Sequence, residues 1–223
     1  MNTVRTVIRG IGQTLITLGL ITLLFCAYEL WITNLYTARE QSALGSQLRR
    51  SWDSGEDPLA PTLVRVPLGT GIAVLRIPRL GDSYAKVVVE GVGREDLKKG
   101  PGHYPGTALF GNLGNVVISG HRTTYGAPFN RLDEVKPGDA IVVETKTMWF
   151  TYTVTKRSVV SPHAIEVTYP VPGDKGAKPT KRLITLTTCN PKYSARTRLI
   201  VFAEQSAAQP KSAGLPPALT QGT

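Results

Sequence analysis

Cysteine is nearly missing from this chain: its 223 residues include only Cys26 and Cys189. Cys26 lies in an apolar stretch, so no intramolecular disulfide framework is available and Cys189 is expected as a free thiol. Aromatic residues are scarce at 7%. Histidine is scarcer still, and three histidines with one available thiol lack metal-ligand spacing, which predicts no metal and no cofactor. Acidic residues are outnumbered, 16 against 26 lysines and arginines, for a net charge of +10. That surplus suits an anionic partner, yet the lysines are scattered and there is neither a basic helix nor an aromatic platform, so no nucleic acid is expected. No repeat at a fixed period is present.

What the chain does have begins with Ile11 to Tyr28, which holds no charged residue. At 1.5 Å per residue it spans about 27 Å, enough to cross a bilayer's hydrocarbon core. Arg5 and Arg9 precede it, and Glu29, Arg39 and Glu40 follow, so the charge bias puts the N-terminus in the cytoplasm and the rest outside. A cleaved signal peptide is the rival reading, but Phe25-Cys-Ala-Tyr28 is no small-x-small cleavage site. Phe25 also argues against lipidation of Cys26. The expected organisation is a cytoplasmic N-terminus at 1–10, a membrane anchor at 11–30, a linker at 31–66, one folded domain at 67–205 and a disordered tail at 206–223. A short helix over 36–50 could continue the anchor, with Trp31 and Tyr36 at the membrane interface.

Within the domain the hydrophobic period is two, or runs are short and β-branched. Strands are expected near 71–77, 85–90, 108–110, 116–119, 140–145, 149–156, 158–160, 182–188 and 198–203, with short helices only at 94–98 and 129–134. Many close strands and few helices predict an all-β fold, an antiparallel barrel or sandwich. The run Arg182-Leu-Ile-Thr-Leu-Thr-Thr-Cys189 delivers its thiol to a strand tip, and Arg198 opens the next run nine residues on. His121 ends Val116-Val-Ile-Ser-Gly-His121. A cysteine, a base and a fixed cation suffice for acyl transfer: the thiolate attacks a carbonyl, imidazole moves the proton, and guanidinium stabilises the oxyanion. On pattern alone Cys189 could equally be a buried gap filler and His121 a structural histidine. His103 and His163 read as loop histidines, and Arg196 as a solvated competitor of Arg198.

Ser119-Gly-His-Arg122, Thr185-Leu-Thr-Thr-Cys189 and Arg198, in this order and spacing over roughly residues 70 to 205, resemble the motifs of sortases, the cysteine transpeptidases of Gram-positive cell walls. Gly120-His-Arg-Thr-Thr-Tyr-Gly-Ala-Pro-Phe129 is most similar to the class E branch of actinobacteria. The resemblance implies a closed barrel of about eight strands, with Cys189, His121 and Arg198 catalytic. It implies a Leu-Ala-x-Thr-Gly or Leu-Pro-x-Thr-Gly sorting peptide as one partner and a peptidoglycan precursor amine as the other. It also suggests that Thr188 contacts the substrate backbone and that Tyr104 helps select the motif's second residue. Anionic wall polymers and lipid headgroups then account for the positive charge better than nucleic acid does. A pilin-polymerising sortase remains an alternative, as does a membrane-anchored β-domain that only binds a wall partner. A cysteine L,D-transpeptidase would show Ser-x-Gly-Cys, which is lacking. Thiol chemistry separates the readings: a methanethiosulfonate reagent is expected to label Cys189 in the folded protein, whereas an inert thiol would favour the binding domain.

Overall fold

The computed structural model describes residues 2–28, 33–59 and 66–220. Two helices lead the chain, α1 (Asn2–Ala27) and α2 (Thr33–Asp53). The strands are β1 (Gly71–Arg76), β2 (Ala85–Glu90), β3 (Gly102–His103), β4 (Gly114–Ser119), β5 (Ala140–Glu144), β6 (Met148–Val160), β7 (Arg182–Asn190) and β8 (Thr197–Pro210). Helix α3 (Arg94–Lys99) sits between β2 and β3, and α4 (Pro217–Thr220) follows β8. The eight strands close into a barrel in the order β1-β2-β3-β4-β7-β8-β6-β5.

The barrel is mixed rather than antiparallel. Strand β2 runs parallel to β3, and β4 runs parallel to β7. Parallel neighbours need a long crossover, supplied by α3 in the first case and by everything between β4 and β7 in the second. Both β4 and β7 are buried over most of their length on both faces, as parallel central strands are. Alternate side chains, Ile72, Val88, Ile118, Ile141, Tyr152, Ile184, Leu186 and Val201 among them, fill the interior. Burial pushes the Tyr152 phenol up to about 12.

Three further expectations are corrected. Residues 108–110 form no strand; the short β3, one loop earlier, takes that place between β2 and β4. The separate strand expected at 158–160 is the end of β6, whose two register shifts carry it past the interruption in the pattern. The tail expected to be disordered from 206 continues β8 to Pro210, opposite Met148. Its Ala and Gln side chains bury little, but pairing uses the backbone. Just beyond, Lys211 Nζ reaches Glu144 Oε1 at 2.7 Å and lies over the rings of Trp52 and Trp149.

The linker is also more than a tether. Helix α2 packs Leu44 and Leu48 against Val87 and Val89 on the outer face of β2. Gln41 fastens it: its Nε2 donates to the carbonyls of Val87 (3.0 Å) and Lys99 (2.8 Å), and its Oε1 accepts from the Val87 amide (2.8 Å). Thr37 Oγ1 donates to the Lys98 carbonyl at 2.7 Å. Trp31 and Glu29 lie outside the described residues. Because Gln41→Leu strands three backbone polar groups, it is expected to lower stability by about 1–3 kcal/mol in urea unfolding, while Gln47→Ala on the exposed face changes it by less than about 0.5 kcal/mol.

Candidate active site

Strand register builds the site. Strands β4 and β7 pair up to Ser119 opposite Thr187, so two places further His121 lies level with Cys189. The pairing persists there: the Gly120 amide donates to the Thr187 carbonyl (3.1 Å), and Thr188 Oγ1 donates to the Gly120 carbonyl (2.7 Å). On the other side of β7, Cys189 is directly opposite Arg198 of β8. Directly opposed residues have Cβ atoms about 4.5–5.5 Å apart. Ile118, Ile184, Leu186, Leu199 and Val201 point inward. By alternation His121, Cys189 and Arg198 all project from the outer face of the wall. The three expected catalytic residues therefore share one rung of three adjacent strands.

The β6–β7 connection lies over this same face. Asn115, on the outer face of β4, donates from Nδ2 to the carbonyls of Val167 (3.0 Å) and Tyr169 (3.1 Å) and accepts from Thr185 Oγ1 (2.7 Å). The rung is thus walled on one side and open at its end. Cys189 and His121 are both half-buried. At rest one Arg198 nitrogen, Nη1, donates to the carbonyls of Ala195 (3.0 Å) and Thr197 (3.1 Å), which fixes the guanidinium over the β7–β8 turn.

The segment after His121 is tightly held. Gly120 can carry no side chain, since a Cβ would come within 2.6 Å of the Phe129 ring. Tyr125, Gly126 and Ala127 take positive φ angles of 51°, 70° and 40°. Such strain in non-glycine residues costs about 1–2 kcal/mol each and clusters at functional sites. Contacts from several directions impose it: Asn34 Oδ1 accepts from the Gly126 amide (2.9 Å), the His121 carbonyl from Phe129 (3.1 Å), and the Pro128 carbonyl from the Tyr84 hydroxyl (2.8 Å). The result puts the Tyr125 ring against His121, centroids 5.1 Å apart.

Arg122 ties this loop to the nucleophile strand. Buried, it donates from Nη1 to the Cys189 carbonyl (3.2 Å) and from Nε to the Asn130 carbonyl (2.9 Å), and pairs through Nη2 with Asp133 (2.9 Å). Asn130 Nδ2 returns a bond to the Arg122 carbonyl (2.9 Å). Both Tyr125 and Arg122 stand inside the stretch that carried the family resemblance, but no periodicity marks their roles.

Two expected substrate contacts fare differently. The Thr188 hydroxyl is committed to Gly120 and locks β4 to β7. Tyr104 is not brought to the rung: its amide donates to the Val117 carbonyl (2.9 Å), four residues back from His121, or about 13 Å along the strand. His103, expected as a loop histidine, is buried, with Nδ1 2.7 Å from Glu90 Oε2 and Nε2 3.0 Å from the Ala108 carbonyl. Arg196 is an exposed loop residue.

A 520 Å³ cavity beside the site is lined by Arg122, Asp133, Arg157, Asn190, Lys192 and Leu199, so it opens at the barrel mouth, across the strand end from the thiol. A 540 Å³ cavity lies between α2 and residues 66–71, and none of the three rung residues lines it. Among the described residues, no group of three or more metal-ligating side chains occurs.

Burial lowers the His121 pKa from its ordinary value, because the imidazolium loses solvation. The neutral, proton-accepting ring is the resting form at neutral pH. The unfolded chain binds this proton more readily, so the group's contribution to stability is whole above the ordinary value near 6.5 and is lost as pH falls through the folded value. In Cys189→Ala protein, NMR titration of the His121 ring is expected to give a midpoint below about 6.5; a midpoint above it contradicts the burial argument.

Comparison with known proteins covers this same wall. The sortase domain of protein-family models matches residues 75–206. The sortase SrtE1 of Streptomyces coelicolor is 36% identical over 219 residues, covering 95% of this chain and 60% of its own length. The chain therefore spans less than two thirds of that relative. Sortase E from Streptomyces avermitilis superposes with a TM-score of 0.63 at 45% identity, covering 69% of this chain and 99% of that one. The structure of Streptomyces coelicolor sortase E1 with a tripeptide in its active site gives a TM-score of 0.63 at 38% identity, covering 68% and 97%. With the family model matched over residues 75–206 and these relatives matched over most of the folded chain, this protein belongs to the sortase family, similar to its class E members.

Proposed function

We propose that the chain is a membrane-anchored transpeptidase that cleaves a sorting peptide between Thr and Gly and passes the acyl group to a cell-wall amine. The observation that carries the reading is the single rung of His121, Cys189 and Arg198 on the outer wall. An extended peptide lying along the face under the β6–β7 connection would present its carbonyl to the thiol. Cys189 attacks as thiolate, and the oxyanion forms beside the Arg198 guanidinium, whose Nη1 the turn carbonyls already orient. His121, neutral at rest, takes the thiol proton and returns it to the leaving glycine amine. The thioacyl-enzyme is then resolved by the acceptor amine, whose proton His121 removes. Sulfur, proton and acyl group all balance without a cofactor. The preferred motif is of the Leu-Ala-x-Thr-Gly or Leu-Pro-x-Thr-Gly type, and the acceptor is an amine of a peptidoglycan precursor. The tripeptide in the active site of Streptomyces coelicolor sortase E1 supports a peptide substrate.

Helix α1 supports the anchored topology: Thr3–Ala27 is long and apolar enough to cross a membrane, and none of its apolar window is buried against the protein. The flanking charge, Arg5 and Arg9 before the helix, supports a catalytic domain outside the cytoplasm.

The test uses the full chain in detergent, because α2 holds the His121 loop. Offered fluorescent Leu-Ala-x-Thr-Gly and Leu-Pro-x-Thr-Gly peptides and an amine, wild type is expected to form ligated product. Cys189→Ala should form none, and Arg198→Ala should lose about 100- to 1000-fold in rate. Absence of product across a panel of sorting peptides, or a Cys189→Ala variant as active as wild type, overturns the proposal.

A further inference from the structure

The chain is short between its apolar helix and its active-site loop. Helix α1 ends at Ala27, and Asn34, on the first turn of α2, holds the amide of Gly126, next to the Tyr125 ring that covers His121. Six residue steps from Tyr28 to Asn34 reach at most about 22 Å even when fully extended. Whatever path those residues take, Asn34 stays within that distance of the end of α1, and the loop that it holds at Gly126 stays beside it.

That same end displays a distinctive surface. In the β7–β8 turn Tyr193 is 83% exposed and held at φ 65°, with Lys192 and Arg196 exposed on either side. On α2, Leu35 and Tyr36 are 56% and 43% exposed, and Arg39 is exposed beside them. The acids nearby are answered from within the chain, Asp133 by Arg122 and Glu134 by Arg131, while Glu40 is half-buried. Uncovered tyrosines flanked by cations suit the headgroup layer, where rings sit at the interface and cations meet anionic lipid.

We propose that this end of the barrel rests on an anionic lipid bilayer through Lys192, Tyr193 and Arg196, with Leu35, Tyr36 and Arg39 beside them, so that Cys189 works at the membrane surface. The proposal rests on the reading of α1 as a retained membrane anchor. It favours lipid over a wall polymer because the chain's reach keeps the α2 side of this face within about 22 Å of the end of the apolar helix. Substrates whose reacting groups are tethered near the same surface would meet the thiol without leaving the membrane.

The test places a photo-crosslinker in the full chain reconstituted in phosphatidylglycerol vesicles. Tyr193→p-benzoylphenylalanine is compared with Leu113→p-benzoylphenylalanine, a position 50% exposed at the opposite end of the barrel, just before β4. Lipid adducts are expected at 193 and not at 113. They should fall about tenfold or more in neutral phosphatidylcholine vesicles and in Lys192→Glu/Arg196→Glu protein. Equal labelling at both positions, or none at 193 in protein that resists carbonate extraction, overturns the docking surface. Labelling at 193 that ignores lipid charge overturns its anionic specificity, and labelling abolished by added poly(glycerol phosphate) reassigns the face to a wall polymer. Protein released by carbonate instead shows that the anchor reading itself has failed.

Discussion

The register between β4, β7 and β8 is the constraint on which the site depends. A barrel strand has period two, so a slip of one residue in β7 would turn Cys189 into the core and bring Thr188 out. The Thr188 hydroxyl on Gly120 opposes such a slip at the rung where it matters. Inward Ile184 and Leu186 oppose it further down the strand, since a slip would expose both. Core packing and catalytic geometry are therefore specified by the same alternation, and neither can change without the other.

A second layer of constraint holds the histidine side. The strand ends at Ser119, and a loop with three consecutive positive φ angles must still present an imidazole level with the thiol. Arg122 answers by reaching the Cys189 and Asn130 carbonyls and Asp133 together, joining the two sides of the site below the rung. Helix α2 answers from outside through Asn34. A segment that reads as linker thus belongs to the support of the active site, which explains why Gln41 and Thr37 spend their polar atoms on backbone groups of the barrel.

Much of this was legible in the residues. Alternation located β1, β2, β4, β5, β7, most of β6 and the first part of β8, and strand-end position singled out Cys189, His121 and Arg198. Strand direction was not legible, because alternation is the same whether a neighbour runs parallel or antiparallel. Two-residue β3 is too short to show a period, and the Ala-Gln stretch of β8 pairs by backbone, which composition does not report. Arg122 and Tyr125 could be seen as parts of a motif, but their contacts depend on backbone turns at Gly120 and Tyr125–Ala127 that only coordinates reveal. The place of Tyr104 was not legible for a related reason: proximity in sequence to β4 says nothing about which point of the strand it pairs with.

The most direct test of the shared rung is a crystal structure of the full chain with a sorting-peptide mimic linked by a disulfide to Cys189. The account predicts the peptide along the outer face under the β6–β7 connection, its carbonyl-mimicking oxygen about 3 Å from an Arg198 nitrogen and the His121 ring within reach of the sulfur. A peptide bound in the barrel-mouth cavity instead, with Arg198 still turned wholly to the Ala195 and Thr197 carbonyls, would contradict it.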